Sequence, residues 1–302
     1  MQRDVEFSSK GLQCRGWLYV PDDLVNGDAA PAIVMAHGFS AVKEMFQVSR
    51  YAEKFTDAGF VTLIFDFRFL GASEGDPRGH IVSHEQREDI SNAITWLSRQ
   101  PEVDEARVGV WGTSLSGGHV MHLAGFDRRI KAVVSQVPTI NPVEQIISRS
   151  GRDGFERLME MLATDRERRF DGEPSSAVKV VAPEGELSAL SGAEAYEAMS
   201  RHATTAPSWV NSVTLESLED YVQYLPTAGI ERISPTPLLM VVAEEDSLIP
   251  ADLAKAAFER AGEPKALHLA PCGHFEIYEK EPWFSEVVDR MVAWYTTHLQ
   301  RQ

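Results

Sequence analysis

Hydrophobic positions along this chain follow two alternating rhythms. Unbroken apolar runs recur at Ala32-Ile33-Val34-Met35-Ala36, at Val61-Thr62-Leu63-Ile64-Phe65, from Ile130 to Val137 and from Pro237 to Ala243. Runs of this length and composition predict strands buried on both faces of a parallel sheet. Between them the period changes to helical. Ile90, Ala93, Ile94 and Leu97 fall on one face of a helix expected over His84 to Arg99. Phe46 to Ala58 reads as a helix with Ala52, Phe55 and Ala58 inward and Gly59 closing it. Ala251 to Ala261 forms another, stopped at Gly262. Phe284, Val287, Val288, Met291, Val292 and Tyr295 make the stripe of a last helix.

Shorter signals complete the pattern. Val5 to Phe7 and Leu12 to Val20 predict two strands joined at Lys10-Gly11. Residues 27–31 read as a loop, and Arg107 to Trp111 and Ala266 to Ala270 as further strands. Strands alternating with helices imply right-handed crossovers and a mostly parallel sheet covered on both faces. In such sheets the chemistry sits at the carboxyl ends of the strands.

The alternation stops after Pro138. From Thr139 to Ser234 the chain reads as helices and irregular loops: a helix over Phe155 to Leu162, a short strand at Ala177 to Ala182, a break at Ala206 to Trp209 and a helix over Leu215 to Tyr224. The expected organisation is a core of residues 1–138 and 235–302, with a mainly helical cap inserted at 139–234. Trp209, Tyr221 and Tyr224, with Phe155, are candidates to line a substrate cavity. Each is also explained as part of the cap's own small core.

Charge narrows the partners. The chain has 302 residues, and 45 acids against 29 bases leave a net charge of -16. That excess argues against a nucleic-acid partner, which draws on clustered Lys and Arg. No apolar run reaches the ~20 residues of a membrane span, so no membrane role is expected. Met1 to Glu6 lacks an apolar signal core, which makes the cytoplasm the expected location. In that compartment Cys14 and Cys272 are expected to be free and buried.

One stretch carries the candidate chemistry: Arg107-Val108-Gly109-Val110-Trp111-Gly112-Thr113-Ser114-Leu115-Ser116-Gly117-Gly118. It reads as a strand, a tight turn with a serine at its tip, and a glycine-eased helix start. A serine held there stands clear of the sheet edge. It needs a base. His274 follows the last strand in a glycine-flanked turn and is the candidate. Asp246, after the strand ending at Ala243, is the candidate acid, in competition with Glu244, Glu245 and Asp252. The strand ending at Val137 leads into Pro138-Thr139 without a carboxylate, which removes the other usual place for an acid. The oxyanion donors would be the backbone N–H groups of Leu115 and of Phe39 in His37-Gly38-Phe39-Ser40.

The other histidines read as structural: His37 as a support for the oxyanion loop, His119 and His122 as packed or solvated. His80 and His84 have a metal-like spacing, but Gly79 and the polar flanks favour loop and helix-start roles. No metal and no cofactor is expected. Cys272 lacks a strand-to-helix turn and reads as packing.

These residues, in the chain order Ser, Asp, His on loops after strands, are the α/β-hydrolase arrangement, and the chain resembles that superfamily over nearly its whole length. The stretch Gly112 to His119 is closest to a subgroup of fungal polyketide transferases and bacterial hydrolases of unassigned substrate. Phe65-Asp66-Phe67-Arg68, Gly71-Ala72-Ser73-Glu74-Gly75 and Asp246-Ser247-Leu248-Ile249-Pro250 also look like it. Ser116 departs from the last glycine of the general G-x-S-x-G pattern, but serine there is usual in the look-alike subgroup. The resemblance implies an eight-stranded-type sheet and acyl chemistry on a small-molecule ester or thioester through a serine acyl-enzyme. It is compatible with a homodimer, which no sequence feature derives.

Three functions follow in order. The first is a serine hydrolase of carboxylic esters. The second is an acyltransferase or thioesterase acting on a polyketide-like or other acyl thioester. The third is a ligand-binding protein without turnover. A dehalogenase would carry an aspartate at the position of Ser114.

Overall fold

The computed structural model describes residues 1–24 and 28–300. The chain opens with a hairpin, β1 (Gln2–Ser9) and β2 (Leu12–Tyr19), turning at Lys10 and Gly11, both with positive φ. β3 (Ala30–Ala36), α1 (Val48–Asp57), β4 (Val61–Phe65), α2 (Ser83–Leu97), β5 (Val103–Thr113), α3 (Leu115–Ala124) and β6 (Ile130–Gln136) follow. Then come α4 (Pro142–Phe170), β7 (Ala177–Val178), α5 (Ala193–Ala203), β8 (Val213–Thr214) and α6 (Leu215–Gln223). β9 (Leu238–Ala243), α7 (Ala251–Arg260), β10 (Lys265–Ala270) and α8 (Trp283–Tyr295) follow, with a π-helical turn at Thr296–Gln300 as the last described element.

Eight strands form one sheet in the order β1-β2-β4-β3-β5-β6-β9-β10. From β4 to β10 all neighbours are parallel; the opening hairpin adds two antiparallel strands at one edge. This is the α/β-hydrolase fold. The unbroken apolar runs have their physical reason here: β3, β4 and β9 are buried at every residue. The stripe Ile90, Ala93, Ile94 and Leu97 is fully buried on α2. α8 buries Phe284, Val287, Val288, Met291 and Tyr295, while Val292 is only half-buried.

Several boundaries differ from expectation. Ala30 and Pro31 belong to β3 rather than to the 27–31 loop, and Gly27 of that loop lies outside the described residues. α1 starts at Val48, because Phe46 and Gln47 take left-handed backbone angles (φ 54° and 50°). β5 begins at Val103, since Ala30 pairs with Val103 ahead of the apolar run and a register shift follows. Polar Asp104 and Glu105 hide that extension from a hydrophobic pattern.

The 139–234 segment departs most. The helix expected over Phe155 to Leu162 is part of the longer α4, interrupted at Gly151 (φ 69°, ψ 171°). The strand expected over Ala177 to Ala182 shrinks to the two residues of β7, paired with β8. α5 lacks a counterpart among the expected elements. α4 and α6 are joined by the ion pair of Arg169 with Glu219 at 2.5 Å, and Asp165, one turn back on α4, holds the same guanidinium at 2.9 Å. The segment fastens to loops of the sheet side through Ile81 N–H to Ser217 Oγ and Ser83 N–H to Asp220, both at 2.7 Å. Among the described residues, no helix is long and apolar enough to cross a membrane.

Candidate active site

Ser114 sits between β5 and α3 with φ 55° and ψ −119°, a region that side-chain-bearing residues rarely occupy. Two backbone bonds hold it there. Its N–H donates to Gln136 O and its carbonyl accepts from Thr139 N–H, both at 2.9 Å. The turn leaves almost no room beside it. A Cβ on Gly112 would stand 2.1 Å from the Ser116 carbonyl, and one on Gly38 would stand 3.0 Å from Ser114 Cβ. Glycine at these positions allows three segments to meet at the serine.

His274 and Asp246 approach from loops after the adjacent strands β10 and β9. Their side chains are nearly fully buried, and His274 Nδ1 lies 2.7 Å from Asp246 Oδ2. The other carboxylate oxygen, Oδ1, accepts from Leu248 N–H and Ile249 N–H at 2.8 Å each, which fixes the acid's direction. The competing acids lie elsewhere. Glu244 and Asp252 are exposed and flank Lys255, at 3.7 and 3.9 Å. With Nδ1 committed to Asp246, the imidazole keeps Nε2 for another partner. Ser114 and His274 line one small cavity of about 40 Å³, together with Gly38, Phe39, Thr139 and Tyr278.

Phe39 and Leu115, the expected oxyanion donors, both stand at this serine: Leu115 opens α3, and Phe39 lines the cavity. As the first residue of its helix, Leu115 has an N–H without an intrahelical acceptor. The Phe39 loop is anchored from behind. Ser116 Oγ donates to His37 O at 2.5 Å, and Asp66 in the loop after β4 accepts from both Lys43 N–H and Lys43 Nζ at 2.7 Å. His37 is buried between them, its pKa lowered by desolvation against the opposing pull of Asp66, so its imidazole stays neutral.

A larger cavity of about 250 Å³ opens beside the small one, walled mostly by apolar groups of the 139–234 segment such as Ile146, Leu158, Met161 and Leu218. Four residues, Phe39, Arg149, Leu190 and Tyr221, line both. Of the three aromatics named from the sequence, Tyr221 lines both cavities, and Trp209 and Tyr224 line neither. Trp209 donates its indole N–H to Ser40 O at 2.8 Å, clamping the inserted segment to the loop after β3. Tyr224 is buried against α3, its hydroxyl 2.9 Å from His119 Nδ1. Each ring is used for a polar contact that composition could not foresee. Cys14 and Cys272 are buried and free, and burial raises the Cys272 thiol to about 12, which keeps it protonated and inert.

Arg149 is the site residue that sequence reasoning missed. It sits in Ser148-Arg149-Ser150-Gly151-Arg152, where nothing in the pattern separates a cavity-lining arginine from a solvated one. It is half-buried, with its Nε enclosed, two residues before the interruption of α4 at Gly151.

A mostly parallel eight-stranded sheet with a strained serine between its central strand and the following helix defines the protein as an α/β hydrolase. The chain belongs to the X-Pro dipeptidyl-peptidase (S15) family, whose model matches residues 11–276. It is 31% identical to the quorum-quenching protein AidA of Acinetobacter baumannii, over 95% of this chain and 92% of that one. It is 30% identical to a thiohydrolase of Eupenicillium brefeldianum, over 97% and 93%. The crystal structure of the α/β hydrolase GrgF of Penicillium sp., a polyketide transferase, superposes with a TM-score of 0.84 at 26% identity over 100% of both chains. These relatives place the chain in the hydrolase and acyltransferase class.

Proposed function

We propose that the protein is a serine hydrolase that cleaves a small-molecule carboxylic ester through an acyl-enzyme. The observation that carries this reading is the Asp246–His274 pair, set at the same cavity as a serine whose backbone is strained outward. Ser114 Oγ attacks the acyl carbon while His274 Nε2 takes its proton. The Phe39 and Leu115 N–H groups hold the oxyanion, a contribution of about 3 kcal/mol per donor to the transition state. Asp246 fixes the tautomer and stabilises the imidazolium. Collapse breaks the ester bond, and the leaving alcohol takes the proton from His274. Water then gives a proton to His274 and attacks the acyl carbon. The Ser114 Oγ–acyl bond breaks, Oγ recovers the proton, and the acid departs. The 139–234 segment, acting as a cap, would select the acyl part through the apolar cavity. Two buried free thiols fit a reducing compartment, and we assign the protein to the cytoplasm.

A thioester substrate is the second reading, favoured by the relatives named thiohydrolase and polyketide transferase. The steps are the same until the acyl-enzyme; a thiol leaves instead of an alcohol, and an acceptor alcohol can replace water. Peptide cleavage at an amino terminus fits less well. Such a substrate needs an acid to hold its ammonium group, and Glu186 in the larger cavity is already paired with Lys179 at 2.9 Å. The test compares p-nitrophenyl octanoate with octanoyl-N-acetylcysteamine. Steady turnover of the oxygen ester in water, with fluorophosphonate labelling of Ser114, supports the ester hydrolase. Turnover of the thioester alone selects the second reading. Absence of labelling and of turnover on both overturns the serine mechanism.

A further inference from the structure

Arg149 is a cation without a counter-ion at the junction of the two cavities. Its Nε is buried and has no hydrogen-bond partner. No carboxylate lies within ion-pair distance of its guanidinium among the described residues, although basic side chains elsewhere are paired repeatedly. Arg157, on the far side of the Gly151 interruption of α4, also lines the larger cavity, but its side chain is exposed to solvent. The charge of Glu186 across that cavity is taken by Lys179. A chain with a net charge of -16 thus keeps Arg149, among the described residues, without an ion pair at the wall of an apolar pocket. Desolvation pushes the Arg149 pKa down, with Tyr221 and Asp246 opposing it. A half-buried cation with its Nε enclosed lacks a local anion and an acceptor for that N–H.

We propose that the acyl part of the substrate carries a carboxylate, separate from the reacting carbonyl, and that Arg149 binds it. The inference rests on the serine-hydrolase reading for its orientation. With the reacting carbonyl at Ser114, Arg149 stands beside the path of the acyl chain into the larger cavity. The planar guanidinium fork matches a carboxylate with two parallel hydrogen bonds, which a lysine in the same place would not reproduce. The apolar walls take the methylenes between the two carbonyl groups. Arg149 is therefore a specificity-determining residue.

The test uses two esters of one chain length, mono-p-nitrophenyl suberate and its methyl-capped, uncharged diester. The intact protein should prefer the charged ester by about 10- to 100-fold in kcat/KM. Arg149→Gln should remove that preference, lowering kcat/KM on the charged ester by about 10- to 100-fold more than on the neutral one. Arg149→Lys should recover only part of it. Equal activity on both esters in the intact protein, or an equal loss on both in Arg149→Gln with the fold retained, overturns the proposal. A binding arm is read without turnover. Suberic acid monoamide, which carries the carboxylate but no ester bond, should bind the intact protein at least about tenfold more tightly than it binds Arg149→Gln, and equal affinities overturn the proposal. Fluorophosphonate labelling of Ser114 is scored in parallel. A labelled serine with no charge preference refutes the Arg149 inference alone, and charge-selective binding without labelling refutes the serine reading alone.

Discussion

The hydroxyl of Ser116 donates a 2.5 Å hydrogen bond to the backbone oxygen of His37, so the first turn of α3 holds the loop that follows β3. Ser116 is the position at which the chain departs from the G-x-S-x-G pattern. Its substitution for glycine adds a tie between the segments that carry Leu115 and Phe39, the two donors of the proposed oxyanion site. Both partners are buried, so the bond is shielded from water. Ser116→Ala should leave a buried carbonyl unpaired and cost about 1–3 kcal/mol in urea denaturation. If the tie positions the Phe39 N–H, kcat should also fall about tenfold with KM little changed. A kcat equal to wild type would confine Ser116 to stability.

The strained backbone of Ser114 makes a separable prediction. Holding a non-glycine residue at φ 55° and ψ −119° costs about 1–3 kcal/mol. Ser114→Gly should therefore unfold at higher urea, by about 1 kcal/mol, while losing about ten-thousandfold or more in turnover. Ser114→Ala should lose the same activity without that gain. A less stable Ser114→Gly protein would show that the turn is not strained.

The sheet was legible because its central strands are buried on both faces. Ala32 to Ala36 and Val61 to Phe65 read as strands since no polar face interrupts them. Ser114, Asp246 and His274 were legible as candidates because each follows a parallel strand, β5, β9 or the edge strand β10, and loops after parallel strands converge at one edge. The inserted segment was not. Its helices take their positions from contacts that no period announces: the Trp209 indole on Ser40, the Tyr224 hydroxyl on His119, the Arg169 fork between Asp165 and Glu219. Arg149 is the clearest case. Its place at the two cavities comes from tertiary packing, and an arginine between two serines carries no local sign of that.

Asp246 has two tasks that substitutions can divide. Oδ2 faces His274 Nδ1, and Oδ1 receives the Leu248 and Ile249 N–H groups. Asparagine keeps an oxygen for the loop but presents N–H groups to the imidazole, which forces the proton onto Nε2. Turnover should fall about ten-thousandfold with the melting temperature nearly unchanged. Alanine loses the loop bonds as well and should cost a further 1–3 kcal/mol or so. If Asp246→Asn kept near-wild-type rates, Glu244 or Glu245 would become the candidate partner of His274.

Acid should destabilise the fold through buried histidines. Burial lowers His122 to about 4, with the Arg87 charge acting in the same direction, and desolvation lowers His119 and His37 as well. The unfolded chain binds these protons near pH 6.5, whereas the folded chain resists them. Their contribution is therefore intact above pH 6.5 and is lost as pH falls from 6.5 towards 4. Each fully resisted proton costs about 1.4 kcal/mol per pH unit in that window. The urea midpoint should drop clearly between pH 7 and pH 5. His122→Gln should show a shallower drop, because one protonation is removed from the unfolded state. A midpoint that stays flat from pH 7 to pH 5 would mean that these imidazoles charge in the folded protein.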